Sequence, residues 1–134
     1  MTKPYQTQTK LYKILSHPTR LAILDILRDG EQCVCHMEAI LGLRQAHISQ
    51  HLMALREADL VTDRRDGWNI FYQVIHPEIY TIVDAMNSFS GAESIDYTQI
   101  AAAQPHRKAC PCPKCNQEVE PTCCDPVETG IVSA

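Results

Sequence analysis

The chain has no apolar run long enough to cross a bilayer, and its first residues, MTKPYQTQTK, lack the apolar core of a secretion signal. No membrane association is expected. The expected compartment is the cytoplasm, where thiols stay reduced. Positive charge is not in excess: 12 Lys and Arg stand against 16 Asp and Glu, a net charge of −4. The total therefore argues weakly against a large nucleic-acid surface, and local arrangement has to decide that question. There is no internal repeat beyond two Cys-x-Cys units. There is also no glycine-rich phosphate loop and no catalytic carboxylate pair. The adjacency of Cys35 and His36 does not by itself give a nucleophile a positioned base. A non-enzymatic protein without an organic cofactor is expected.

What is present is a globular composition, 45% hydrophobic and 21% charged over 134 residues, enough for one compact domain and a tail. Charge is uneven. Through Ser90, nine basic residues meet ten acids, whereas the remainder carries three basic residues against six acids. Seven cysteines are many for a reduced protein, and an odd number cannot all pair internally. Such clusters point to metal or redox chemistry before structural disulfides.

Periodicity divides the chain. Leu11, Ile14 and Leu15 share one face of a helix expected over Thr7 to Leu15. Ser16-His17-Pro18 breaks it, and Pro18 suits the first turn of a second helix reaching about Arg28, which Asp29-Gly30 ends. A short third helix is expected from about Val34 to Gly42, and a fourth from about Arg44 to Ala58 with Ile48, Leu52 and Leu55 as its buried stripe. The period then changes. LVTDRRDGWNIFYQVI reads as two strands around Asp66-Gly67. Pro77 opens a last helix with a broad apolar stripe of Ile79, Ile82, Val83, Met86 and Phe89. Beyond Gly91 the pattern fades into a tail holding five of the eight prolines, unsuited to one helix. The fold class is mainly α with a β-hairpin wing, α+β: a winged helix-turn-helix over residues 1–92, with an irregular Cys- and Pro-rich tail over 93–134. The tight Gly42-Leu43 turn is what a helix-turn-helix requires.

HPTRLAILDIL, EQCVCHMEAILGL, HISQHLMALREADLV and RRDGWNIFYQV follow one another in that order. On these motifs the sequence, from about Lys10 to Phe89, resembles the ArsR/SmtB family of metal-sensing bacterial repressors. The resemblance implies a homodimer that binds a palindromic double-stranded operator and leaves it when metal binds. It does not account for the tail.

In such motifs the N-terminal residues of the second helix enter the major groove. Here these are Arg44, Gln45, His47, Ser49 and Gln50. Gln pairs with adenine edges, and Ser and His donate to base or phosphate; the plainer alternative is solvated surface. His51, among Ile48, Leu52 and Leu55, is expected to be a structural, hydrogen-bonded histidine. Arg44 departs from the family pattern of a serine or threonine cap. Arg64 and Arg65, before the hairpin turn, are wing candidates for phosphate or the minor groove, with Asp63 and Asp66 reducing the local charge. Arg20 is a further phosphate candidate. The first and last helices carry more apolar residues than one small domain buries, which fits a two-fold dimer; alternatively, they only close the protomer core.

Cys33 and Cys35 fall where the third helix starts. Inside a regular helix, residues two apart diverge by about 200° and could not share an ion. At the start, the first residue is not yet helical, so both sulfurs can face one point, and backbone N–H groups there favour thiolate. Two sulfurs do not complete a soft-ion site. Some family members have a further cysteine three residues after the pair, where this chain has Glu38. Others use cysteines of an N-terminal arm, a cysteine pair on the recognition helix, or histidines on the last helix, and all of these are missing here. The tail offers Cys110, Cys112 and Cys115, then Cys123 and Cys124 as bystander candidates. The expected ligand set is Cys33, Cys35, Cys110, Cys112 and Cys115. Alternatives are a separate tail site or a thiol-rich end with no ligand role.

The expected function is a metal(loid)-responsive repressor, released from operator DNA by As(III), Cd(II), Pb(II) or Zn(II). The alternative on the same fold is a thiol-redox or persulfide sensor. Metal sequestration or thiol enzymology ranks below both.

Overall fold

In a computed structural model of the chain, residues 2–93 and Ile95 are described. Helix α1 spans Lys3–Leu15, and α2 spans Pro18–Ile26 and tightens into a 3-10 turn at Leu27–Asp29. Strand β1 is Gln32–Cys33, followed at once by α3, Val34–Leu41, and then by α4, Gln45–Glu57. The hairpin is β2, Val61–Asp66, and β3, Asn69–Val74; α5, Ile79–Ser90, closes the described part.

Local chemistry sets these boundaries. Pro4 occupies the first turn of α1, where a missing N–H costs nothing, so α1 starts four residues earlier than the apolar stripe alone suggested. Pro18 does the same for α2. Gly42 ends α3 at φ +67°, its N–H donating to the Glu38 carbonyl at 2.8 Å. Helix α4 ends in a Schellman motif: Leu60 N–H donates to Leu55 O at 3.0 Å and Asp59 N–H to Arg56 O at 3.0 Å. Asp59 takes the left-handed position at φ +59°, one of the few non-glycine residues that tolerates it. Pro77 and Glu78 lie in a turn before α5 rather than inside it.

The core is one cluster. Ile23 and Leu24 of α2, Met37 of α3, and Ile48, Leu52 and Leu55 of α4 are all sealed from solvent. Leu60 and Val61 carry the cluster into the sheet. Tyr80 of α5 donates its hydroxyl to the Leu24 carbonyl. Burial pushes that phenol up to about 12, so it stays a donor at neutral pH. Arg28 pins the same junction: it stacks 4.4 Å over the Tyr80 ring and makes a two-pronged bond to Asp84 at 2.9 and 3.0 Å, with Asp25 at 2.9 Å.

The sheet has three strands, not two. Its order is β1-β3-β2, antiparallel throughout, with Cys33 opposite Phe71 and Phe71 opposite Arg64. A two-residue strand is too short to show a period, so β1 left no trace in the sequence pattern.

Candidate nucleic-acid interface and thiol pair

Helix α4 sorts its residues by face. Ile48, His51, Leu52 and Leu55 point into the core. Gln45, Ala46, His47, Gln50 and Met53 are exposed, with Ser49 half-buried. Gln45 and Gln50 are thus presented outward, and Ser49 is partly covered. Arg44 is the residue before the helix, extended at φ −70° and ψ 148°, exposed, with no side-chain cap bond. Met53, also exposed, lies one turn beyond Ser49 and Gln50 on the outward face.

His47 leans back towards His51, their ring centroids 5.2 Å apart, while His17 lies 4.2 Å from His51 on the other side. His51 is buried and its Nδ1 accepts from Arg20 Nε at 3.2 Å, the structural role expected of it. Burial first, and then His17, Arg20 and His47 beside it, lowers the His51 pKa, which favours the neutral ring that accepts from Arg20. Arg20 also donates from Nη1 to the Ile14 carbonyl at 3.2 Å. The guanidinium offered as a phosphate candidate is thereby engaged in tying α2 to α4 and to the end of α1. The buried His17 Nδ1 has no hydrogen-bond partner among the described residues.

The wing separates its two arginines. Neighbours on a strand face opposite ways. Arg64 stands in the row of buried Phe71 and Cys33 and lies back over the Phe71 ring at 4.8 Å. Its fork is filled by Glu31: Nη2 to Oε1 at 2.6 Å and Nε to Oε2 at 3.2 Å. Hydrogen bonding to Glu31 raises the Arg64 pKa further above its ordinary value. Arg65 faces the other way, exposed, with no ion pair among the described residues. Gly67 alone in the turn has a positive φ, +61°, the pattern of a type II′ hairpin. It leaves Trp68 at the tip, 62% exposed.

The thiols sit at the joint between sheet and helix. Cys33 is both the end of β1 and the N-cap of α3, at φ −83° and ψ 161°. The His36 N–H donates to its Sγ at 3.3 Å, an arrangement that stabilises anionic sulfur. Cys35 is in the first helical turn; both cysteines are buried. Cys33 is therefore extended while Cys35 is helical, the condition under which sulfurs two apart can converge. Among the described residues no group of three His, Cys, Asp or Glu side chains gathers into a metal-sized cluster. The tail candidates Cys110, Cys112 and Cys115, with Cys123 and Cys124, lie outside the described residues.

The helix-turn-helix and its winged sheet have counterparts in known proteins. Residues 17–63 match the model of the bacterial regulatory protein, arsR family. The arsenical resistance operon repressor of Staphylococcus aureus is 36% identical over 83 residues, 62% of this chain and 80% of that protein.

The chain belongs to the ArsR family.

An arsenic resistance transcriptional regulator of Pseudomonas putida is 46% identical over 77 residues, 57% of this chain, and the match spans only 59% of that relative's length. Among solved structures, the transcriptional repressor BigR of Xylella fastidiosa superposes with a TM-score of 0.61 at 35% identity, covering 66% of this chain and 91% of that one. The described part of this ArsR-family chain accordingly has the winged helix-turn-helix fold of bacterial regulatory proteins. Among the described residues no helix is long and apolar enough to cross a membrane.

Proposed function

We propose that the protein is a repressor that binds double-stranded operator DNA as a homodimer and releases it when a thiophilic ion, As(III), Cd(II), Pb(II) or Zn(II), is held by Cys33 and Cys35. The observation that carries this reading is the position of Cys33. It is at once the cap of α3, the first helix of the helix-turn-helix, and a strand residue paired to Phe71 of the wing. A sealed sulfur has to be uncovered before it takes an ion, and in this reading the β1–α3 junction moves to do so. That movement reaches both DNA-facing elements: α4 packs on α3, and β3 pairs with both β1 and β2.

The donor set fits a soft ion in kind. Thiolate sulfur prefers polarizable cations and arsenite to hard ions. It is short in number, since the pair is not joined by a third donor among the described residues. Cys110, Cys112 and Cys115 of the tail are the further ligands in this reading, from the same or the opposite protomer. The names of the Staphylococcus and Pseudomonas relatives, both tied to arsenic resistance, favour As(III) as the first ion to test. A reducing cytoplasm would keep the thiols competent.

The dimer is supported by the face that α1 and α5 leave uncovered. Tyr12 and Leu21 join Ile82 and Met86 around an apolar groove of about 190 Å³. A second copy placed there would set two reading helices roughly one DNA turn apart.

The test is a titration of reduced protein on DNA from its own promoter with As(III), Cd(II), Pb(II) and Zn(II). Release should track sulfur-to-metal absorption, and serine at both Cys33 and Cys35 should abolish it. Release by oxidants alone would establish the redox reading instead. Truncation after Pro105 should weaken ion affinity; unchanged affinity removes the tail from the ligand set.

A further inference from the structure

Arg64 is the one wing cation whose fork is already filled by a group from outside the hairpin. Glu31 offers it two oxygens in the side-on geometry that a DNA phosphate would also offer. The Nε/Nη2 side of the fork cannot serve both. Glu31 is not a chance surface neighbour: it is half-buried, with its side chain 27% exposed, and it lies two residues before Cys33 in the connection into β1. Arg64, Phe71 and Cys33 form one row across the sheet, and the guanidinium rests on the ring between them. Planar stacking beneath and a carboxylate at the edge hold Arg64 back on the body of the protein.

We infer that Glu31 is an internal stand-in for a DNA phosphate, competing for the Arg64 fork and so setting the wing's contribution to DNA affinity. The inference rests on the DNA-binding reading above and adds to it a positioning residue. Side-on binding of a phosphate through Nε and Nη2 of Arg64 requires an exchange of partners. The freed carboxylate takes up a counter-cation while the phosphate releases one, so Arg64 adds less to the salt dependence than an unpaired arginine such as Arg65. The placement of Glu31 beside the thiol pair means that whatever moves the β1–α3 junction also moves the competitor.

The experiment is a double-mutant cycle on a duplex selected by the wild-type protein from a random pool, read by fluorescence anisotropy across a salt series. Glu31→Gln should tighten binding roughly three- to fivefold and steepen the salt slope by up to about one. Glu31→Asp should restore wild-type behaviour in part. In an Arg64→Ala background, Glu31→Gln should change nothing. Equal tightening in both backgrounds would mean that Glu31 acts only as a distant negative charge, and the inference falls. Weaker binding by Glu31→Gln would mean that Glu31 orients Arg64 for DNA, which also overturns it. A wild-type chain that selects no duplex at all sinks the DNA-binding reading itself, an outcome distinct from either.

Discussion

Helices α4 and α5 are of nearly equal length, and both carry apolar residues at helical spacing, yet the protomer treats them differently. Every apolar residue of the α4 stripe is sealed: Ile48, Leu52 and Leu55 are at 0% exposure. On α5, Ile79 and Val83 are buried, but Ile82, Met86 and Phe89 remain 46%, 58% and 88% exposed. The difference separates two uses of one pattern. A helix whose stripe is satisfied within the protomer can turn a polar face outward and read a partner of another kind. A helix with apolar surface left over has to find more of the same, and a second copy is the simplest source.

The most disruptive way to break this contrast is at the centre of α4. Leu52→Ala should cost roughly 2–5 kcal/mol, read by urea denaturation at fixed protein concentration, because the sealed site has little room to collapse into the hole. A cost near zero would mean that the α4 stripe is not core after all. On α5 the same contrast predicts a change of association rather than of folding. Ile82→Glu combined with Met86→Glu should raise the dimer dissociation constant by about a hundredfold or more, a cost of roughly 2.7 kcal/mol, by sedimentation equilibrium. Helix content should hold. A variant that stays dimeric under these conditions assigns the groove of Tyr12, Leu21, Ile82 and Met86 to some other use.

The third prediction compares the two faces of α4 directly. Gln50→Ala should leave stability within about 0.5 kcal/mol of wild type while weakening DNA binding by roughly 1–3 kcal/mol, if the amide reads a base edge. Met53→Ala should show the same separation at smaller size. Loss of stability with unchanged DNA affinity would reverse the assignment of faces.

What the sequence made legible follows the same physics. The order of elements was readable because helices and hairpin differ in period, and because Pro18, Gly42 and the Asp66-Gly67 turn mark boundaries by backbone chemistry. The position of the thiols at the start of α3 was readable for the same reason. What stayed hidden were features fixed by contacts distant in sequence. Strand β1 is defined by pairing with Tyr72 and Phe71, not by any pattern in Gln32-Cys33. Arg20 looked like a phosphate ligand until His51 and the Ile14 carbonyl were found at its donors. Arg64 and Arg65 looked equivalent because a basic pair has no face; the strand gives each one, and Glu31, 33 residues from Arg64, then decides which is engaged. How far the α5 stripe would be covered could not be read either, since that depends on how many elements pack against it.

The smallest effect concerns the histidines that back α4. His51 faces His17 from the approach to α2, Arg20 from α2 itself and His47 from its own helix, and among the described residues no carboxylate acts on it. Burial and these neighbours lower its folded-state pKa below the ordinary 6.5. Between that lowered value and 6.5 the unfolded chain binds more protons than the folded one, so folding is favoured as pH rises. The contribution of a neutral His51 is fully present above about pH 6.5 and is lost as pH falls towards the folded-state value. Glutamine keeps an oxygen that can accept from Arg20 Nε and has no proton to take up in this range. The stability gap between wild type and His51→Gln should therefore move against the wild type as pH is lowered from about 7 to 5, in urea midpoints taken at fixed ionic strength. A constant gap would mean that His51 takes up its proton equally in the folded and the unfolded chain, and a gap moving in favour of the wild type would mean that the folded ring carries the proton, which is incompatible with a ring nitrogen accepting from Arg20.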